Sequence, residues 1–276
     1  MSDSSSNRQY RIGDFAKHMG VTPDFLKHYE EQGLVHASHR NGGYRFYAFQ
    51  QSARILEYMR LRNCGVPLKD IRTMLSATSN ESIAMLDERF VELKKQIEFE
   101  TALLEEHERF KAWYAKRLDK PFDWEIRDVE AFCFLPHSDR HDFLKDERIY
   151  DILKNWVAWM PVVKSCLLLD PTQSSQPVPF EWGLAIPASK ANRYRLPRNS
   201  IVSESPAGKA LIYHFIDDAK NNSFESLTQY KHPIFNLIRS LSLKPAGKLH
   251  VVIDMKFSDD EGRLKSTCGQ IIVPLG

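Results

Sequence analysis

Apolar residues in the first part of the chain recur at helical rather than strand spacing. Ile12, Phe15, Ala16 and Met19 fall on one face of a short helix that Gly20 stops. The turn Gly20-Val21-Thr22 follows, with Thr22 as a suitable N-cap and Pro23 at the first helical position. The next helix, over residues 23–32, presents Phe25, Leu26 and Tyr29 and ends at Gly33. Two short helices on a tight turn, the second carrying basic and aromatic residues, predict a helix-turn-helix. Residues 1–9 are polar and serine-rich and are expected to fray.

From about Ser82 to Leu118 the chain runs on without Gly or Pro and is densely charged. Ile83, Leu86, Phe90, Leu93 and Ile97 alternate three and four apart, the heptad spacing of a coiled-coil seam. The register then puts Glu100, His107 and Lys111 on the seam with only Leu104 apolar, so two heptads are clean. A helix of about 35 residues is roughly three times the usual length, which favours a dimerising or spacing element over a surface helix. Pro121 is expected to end it.

Beyond Phe122 the texture turns to strands. Strands are predicted at residues 124–135, 162–169 and 180–186 with a helix at 144–159, then at 209–216, 249–257 and 268–273 with a helix at 224–241. Each half reads β-α-β-β. Both helices run into a proline (Pro161, Pro245), and both last strands close on an aliphatic-proline pair, Ile186-Pro187 and Val273-Pro274. Two such units can join into one sheet with helices on one face and a concave face opposite. Residues 170–179, rich in Ser, Gln and Pro, are expected to form an exposed, mobile loop.

At 276 residues the chain is long for one domain. The net charge of +2 does not by itself point to nucleic acid. Residues 1–75, however, hold eleven Lys and Arg against seven Asp and Glu, a local excess that fits a phosphate-facing surface. Cys64, Cys133, Cys166 and Cys268 are scattered and read as reduced, mostly buried thiols. No apolar run approaches a membrane span, and MSDSSSNRQ lacks the features of a signal peptide, so a cytoplasmic location and no membrane partner are expected.

Three consecutive blocks, IGDFAKHMGVTPDFLKHYEEQGLV, RNGGYRFY and ILEYMRLRNCGVPLKDIRTML, cover nearly all of residues 10–75. In order and spacing they resemble the DNA-binding domain of the MerR family of regulators. The resemblance implies a β-wing, and Arg40-Asn41-Gly42-Gly43-Tyr44-Arg45 fits one, its glycines able to take positive φ. It also implies a second helix pair, which residues 49–63 and 68–75 supply around the turn Cys64-Gly65-Val66-Pro67. By their chemistry Arg40 and Arg45 would hold phosphates, Tyr44 would pack on sugar or backbone, and Arg62 is a further phosphate candidate. Lys27, His28 and Tyr29 would face the groove behind the Thr22 cap, with packing the alternative for Tyr29 and Tyr47. The family's usual Arg before two aromatics is Lys27 here and the first aromatic is His28; lysine lacks the bidentate fork. The resemblance further implies a homodimer that binds double-stranded promoter DNA with an over-long spacer and distorts it for RNA polymerase.

The expected architecture is therefore multi-domain. A flexible tail (1–9) precedes an all-α winged helix-turn-helix (10–80), a dimerisation helix forming an antiparallel coiled coil (82–120), and an α+β duplicated βαββ domain (122–276). Residues 105–125 contain no Cys and no Cys-x-x-Cys occurs, so neither a thiolate metal site nor a cofactor is expected. His137 and His141, beside Asp139 and Asp142, read as polar surface before a helix.

The β-α-β-β repeat behind a MerR-type helix resembles the GyrI-like effector-binding domains of multidrug-responsive members. That implies a pocket on the concave side for a bulky aromatic, often cationic, small molecule. Trp156, Trp159, Phe180, Trp182, Tyr213, Phe215 and Tyr230 offer flat surfaces for stacking, Trp182 and Tyr213 being preferred and core packing the alternative for each. Glu181, Glu204 and Asp254 are candidate acids for a cation. Relatives carry an acid four residues before the last strand's proline; Gln270 stands there, so a neutral aromatic ligand is equally allowed. Two other readings stay open: a hydrolase, which some stand-alone GyrI-like domains resemble, and a DNA-binding regulator controlled by no ligand. The fused DNA-binding module argues against a primary catalytic role.

Overall fold

The computed structural model describes residues 8–140, 142–170, 177–218, 222–262 and 264–276. The start of the serine-rich tail (1–7), His141 and residues 171–176 of the expected loop lie outside the described residues. The chain separates after Glu98 into two units.

In the first unit β1 (Gln9–Arg11) leads directly into α1 (Ile12–Met19), which Gly20 stops at φ 67°. In α2 (Pro23–Glu31) the Thr22 hydroxyl accepts from the Phe25 N–H at 3.1 Å, and Pro23 takes the first turn, where no donor is missed. The wing is β2 (His39–Asn41) and β3 (Tyr44–Ala48), turned by Gly42 and Gly43 at φ 54° and 80°. Both values are those of a two-residue hairpin turn that side chains with a Cβ resist. β1 pairs along the other edge of β3, so the module is not all-α: it contains a three-stranded sheet. Gln9 therefore belongs to a strand rather than to a frayed tail. Helices α3 (Gln51–Asn63) and α4 (Leu68–Ser76) complete a core around Phe15, Leu26, Tyr29, Tyr47, Ile55, Tyr58 and Ile71.

Helix α5 (Ser79–Ala115) starts on a capping box: the Thr78 N–H donates to the Glu81 carboxylate at 2.8 Å, and the Thr78 hydroxyl accepts from the Glu81 N–H at 3.4 Å. It begins earlier than the pattern suggested and closes ahead of Pro121, in a turn where the Arg117 N–H bonds the Tyr114 carbonyl. Leu86 leans on the first unit's core. Ile83, Phe90, Ile97 and Leu104, one per heptad, are 42–68% exposed.

The second unit is a nine-stranded antiparallel sheet with helices. Its elements are β4 (Phe122–Val129), β5 (Phe132–Asp139), β6 (Asp142–Phe143), α6 (Glu147–Val157), β7 (Lys164–Leu169) and β8 (Phe180–Pro187). Then come α7 (Ala188–Arg193), β9 (Ser203–Ser205), β10 (Gly208–Asp218), α8 (Ser223–Thr228), α9 (Pro233–Ser240), β11 (Leu249–Ser258) and β12 (Leu264–Pro274). The strand order β4-β10-β12-β11-β7-β8-β5-β6 places two three-stranded groups back to back, β5-β8-β7 against β11-β12-β10. They join where Leu169 faces Leu249 and Ser165 faces Ile253. Each group runs first, third, second strand toward that seam.

Two expected elements divide. The strand expected at 124–135 is β4 and β5, and β4 pairs with β10 at the far edge rather than with its own half. The second helix breaks at Tyr230, which takes φ 58°, before restarting on Pro233 with His232 as N-cap.

Side chains alternate across the sheet. One face carries Leu135, Leu184, Leu167, Val251, Ile271 and Leu211, packed against α6 in the first half and α8 and α9 in the second. The other carries Phe134, Cys166, Leu168, Ala185, Val252 and Ile272. The part of α5 beyond Phe99 belongs to this unit. On it Trp113 Nε1 donates to His214 Nδ1 at 3.1 Å, and Glu106 and Arg109 meet Lys164 and Asp254. Cys133, Cys166 and Cys268 are buried and Cys64 half-buried; all four are free thiols.

Candidate nucleic-acid interface and ligand cleft

On α2 Lys27 and His28 point outward, Lys27 pairing with Asp24 at 2.9 Å and His28 lying 3.9 Å from Glu31. Tyr29 does not join them. It is wholly buried, its ring 4.0 Å from that of Phe25 and 6.1 Å from that of Tyr58. Tyr29 directly follows His28 but lies about 100° around the helix, which turns it into the core. Tyr47 is likewise core, stacked on Phe15.

The wing is tied to α2 through one carboxylate. Glu30 accepts from Arg45 Nε at 2.7 Å, from Arg40 Nη2 at 3.1 Å and from the Ala37 N–H at 3.1 Å. Burial alone would push its acidity down, but the Ala37 bond and the two guanidinium groups outweigh it and hold the carboxyl below the ordinary range. Arg40 remains 59% exposed, whereas Arg45, at 31%, is the more buried of the two tethers. Tyr44 is exposed at the wing tip under the Arg11 guanidinium, 4.8 Å from its ring. Arg11, at the end of the three-residue strand β1, was not singled out from the sequence. Arg62 is exposed and lies over the ring of Phe25 on α2 at 5.9 Å.

In the second unit a cleft of about 670 Å³ opens on the helix-bearing face where the two halves meet. The opposite face, where the pocket was expected and where Trp113 of α5 packs on His214, does not hold it. Leu167, Val251 and Ile253 line its floor, Phe180, Trp182, Phe215 and Phe224 its walls, and Met160 and Pro161 lie at the end of α6. That volume is of drug-ligand size and the lining is mainly apolar. Trp182 is half-exposed, donates from Nε1 to Ser165 Oγ at 2.8 Å and meets the His137 ring edge-on at 4.7 Å.

Of the eight expected ligand residues, Trp182 and Phe215 line this cleft. Trp156 is wholly buried, its Nε1 bonded to the Pro197 carbonyl at 2.9 Å. Trp159 stacks on Tyr194 at 4.1 Å, and Tyr230 on Phe235 at 4.0 Å. Glu181 and Gln270 alternate onto the opposite face: Glu181 sits opposite Leu168 and pairs with Lys248 at 2.5 Å, and Gln270 sits opposite Val252 and His214. Tyr213 lines a smaller adjoining pocket with Phe122, Ser223 and His232. Of the candidate acids Asp254 borders the large cleft beside a bulge between Ile253 and Met255, its carboxylate buried against Arg109 and Lys164. Glu204 lies instead near Arg198 and Cys133.

Asp217, absent from the sequence reading, borders both pockets. Its carboxylate accepts from the Ser223 N–H and hydroxyl, both at 2.7 Å, and burial raises its pKa against those bonds. His232 Nδ1 accepts from the Ile234 N–H at 3.1 Å, which places the ring proton on Nε2, 3.3 Å from Ser223 Oγ. The chain of donors thus runs His232 to Ser223 to Asp217. That is the reverse of a Ser–His nucleophile pair, in which the imidazole accepts. Among the described residues no group of three His, Cys, Asp or Glu forms a metal-binding cluster, and no helix is long and apolar enough to cross a membrane.

Residues 10–78 match the family described as MerR HTH family regulatory protein. The HTH-type transcriptional regulator ZntR of Escherichia coli (strain K12) is 34% identical over 96 residues, 32% of this chain and 68% of that protein. The chain belongs to the MerR family. It is a DNA-binding transcription regulator of that kind, with a long helix and an α+β region behind its helix-turn-helix. Other relatives match over less of their length. The nodulation protein NolA of Bradyrhizobium elkanii is 39% identical over 74 residues, 26% of this chain and 34% of that protein. The multidrug-efflux transporter 2 regulator of Bacillus subtilis (strain 168) is 29% identical over 92 residues, 33% of this chain and 34% of that one. The solved EcmrR–DNA complex aligns loosely, over 96% of this chain and 99% of that chain, at 16% identity and a TM-score of 0.41.

Proposed function

We propose that this MerR-family chain acts as a ligand-gated regulator: a homodimer that grips promoter DNA through its winged helix-turn-helix and is switched by an aromatic small molecule held in its C-terminal unit. The observation that carries this reading is the cleft walled by Trp182, Phe180, Phe215 and Phe224, in a polypeptide whose other unit reads DNA. An open, largely aromatic cavity is costly to leave in contact with water unless something fills it. The domain division that follows is 10–80 for DNA binding, 82–120 for dimerisation and 122–276 for a duplicated βαββ, GyrI-like effector module.

On DNA, Lys27 and His28 would enter the major groove, and Arg40, Tyr44, Arg11 and Arg62 would hold the backbone. Dimerisation would cover the exposed heptad stripe of α5 in an antiparallel coiled coil. The bound dimer would then distort an over-long promoter spacer for RNA polymerase.

The test is a thermal-shift screen of the full-length protein against diverse aromatic compounds, with hits carried into in vitro transcription from the promoter that the protein binds. A stabilising hit that changes transcript yield supports the reading. If no compound shifts the melting of the C-terminal unit, a regulator without a ligand replaces it.

A further inference from the structure

We infer that the cleft of the second unit is shaped for an aromatic anion, a fused-ring or biaryl carboxylate, rather than for an aromatic cation. The inference rests on the reading of that cleft as the effector site and specifies its ligand.

Five charged residues border the cleft, Arg140, Lys164, Lys256, Asp217 and Asp254, and the side chains of Lys164 and Asp254 are buried in a cluster with Glu106 and Arg109. Both acids already have partners. Each oxygen of Asp217 accepts one hydrogen bond from Ser223, from its N–H and its hydroxyl. Asp254 Oδ1 lies 2.5 Å from Arg109 Nη2 and 3.2 Å from Lys164 Nζ. Its other oxygen is buried without a hydrogen-bond partner. An incoming cation seeking that oxygen would meet two like charges already gathered on the same carboxylate.

The cluster behind Asp254 is itself positive. Lys164 also pairs with Glu106 at 2.5 Å, and Arg109 and Lys190 pair with the same Glu106 at 2.6 and 3.2 Å. Three cations therefore face two carboxylates, Glu106 and Asp254, leaving one net positive charge.

The remaining cations, Arg140 and Lys256, are exposed at the cleft and make no ion pair with any described carboxylate. They are free to take a carboxylate, Arg140 through two parallel N–H donors. A flat apolar body would then rest between Trp182, Phe180 and Phe215, with its charged end toward Arg140 and Lys256. The volume of about 670 Å³ accommodates such a molecule with room for water at its polar end. Gln270, where relatives carry an acid, lies on the opposite face of the sheet and adds no negative charge to the cleft.

Three matched probes separate charge from shape: 2-naphthoate, 2-naphthalenemethanol and (2-naphthylmethyl)trimethylammonium, titrated calorimetrically into the full-length protein. The expected order is naphthoate at least ten-fold tighter than the alcohol, with the ammonium weaker than both. In Arg140→Gln/Lys256→Gln the naphthoate advantage should shrink by five-fold or more while alcohol binding stays put. Equal or tighter binding of the ammonium overturns the inference, as does a naphthoate preference that survives the double substitution. Alcohol binding with no charge preference removes the anion alone and leaves the effector reading standing. If no probe binds, and a broad aromatic screen also fails to stabilise the unit, the effector reading falls with it.

Discussion

The carboxylate of Glu106 on the long helix and the ammonium of Lys164 on strand β7 lie 2.5 Å apart, both nearly excluded from solvent. Arg109, Lys190 and Asp254 complete the cluster. Burial opposes ionisation of Glu106, but Arg109 and Lys164 overcome it and bring its carboxyl down to about 2. A charge cluster removed from water is costly, and removing one member strands the others. Glu106→Gln is therefore expected to destabilise the C-terminal unit by roughly 3 kcal/mol, read as a lower urea midpoint at unchanged slope. The double change Glu106→Leu/Lys164→Met, which removes a pair rather than half of one, should cost less. A single substitution as stable as wild type would mean that solvent already satisfies the cluster.

Glu30 makes a different use of charge. Through Arg45 and Arg40 it fastens the wing to α2 and neutralises two of the wing's cations. In Glu30→Ala both guanidinium groups lose their internal partner. Each further phosphate that a released arginine neutralises adds about 0.9 to the slope of log affinity against log salt, so the variant should bind DNA with a steeper salt dependence. It should also lose roughly 1–2 kcal/mol of stability with the Arg45 and Ala37 hydrogen bonds. Arg40→Ala should flatten the slope by about one, whereas Arg45→Ala should act mainly on melting temperature. Identical slopes in wild type and Glu30→Ala would show that the arginines never leave Glu30.

Much of this layout was legible in the residues because the signals are local. The helix-turn-helix is announced by Thr22, Pro23 and the two glycines, and the wing by Gly42-Gly43, since each solves a backbone problem only a few side chains can solve. The β-α-β-β repeat came through as strand texture. What stayed hidden depended on pairing or on face. β4 could not be separated from β5, because nothing local says that it will join β10 at the other end of the sheet. Trp156, Glu181 and Gln270 have the right chemistry for a pocket but the wrong face or depth. Face follows from register, and register is decided by long-range partners. Asp217 went unnoticed because its significance comes from Ser223 folding back onto it.

The stripe Ile83, Phe90, Ile97 and Leu104 is apolar, exposed and spaced by seven. A charge placed on it should spare the fold of one chain and disrupt association. Phe90→Glu is expected to sediment as a monomer at concentrations where wild type is a dimer, and to bind a two-half-site promoter at least ten-fold more weakly. Val91→Glu, at the neighbouring exposed position off the seam, is the control and should leave both unchanged. A dimeric Phe90→Glu would move the interface off this stripe.

The buried histidines His232 and His250 make the second unit sensitive to acid. Burial drives His232 down to about 4, and burial with the nearby Lys248 charge does the same to His250, whose Nε2 lies 2.8 Å from Ser205 Oγ. Both are depressed below the ordinary 6.5, so the native state holds them neutral while the unfolded chain protonates first. Their contribution is complete above pH 6.5 and is lost as pH falls from there toward 4, each by up to about 1.4 kcal/mol per pH unit. Glu106 adds to the loss below its ordinary 4.5, because its stabilisation exists only while it is ionised. Urea unfolding of the C-terminal unit at pH 7.0, 5.5 and 4.5 should therefore show a progressive fall, steepening at the last step. His250→Gln can still hydrogen-bond Ser205 but has nothing to protonate, so its loss between pH 6.5 and 4.5 should be shallower than that of wild type. Parallel curves for the two proteins would show that His250 is already protonated in the folded state.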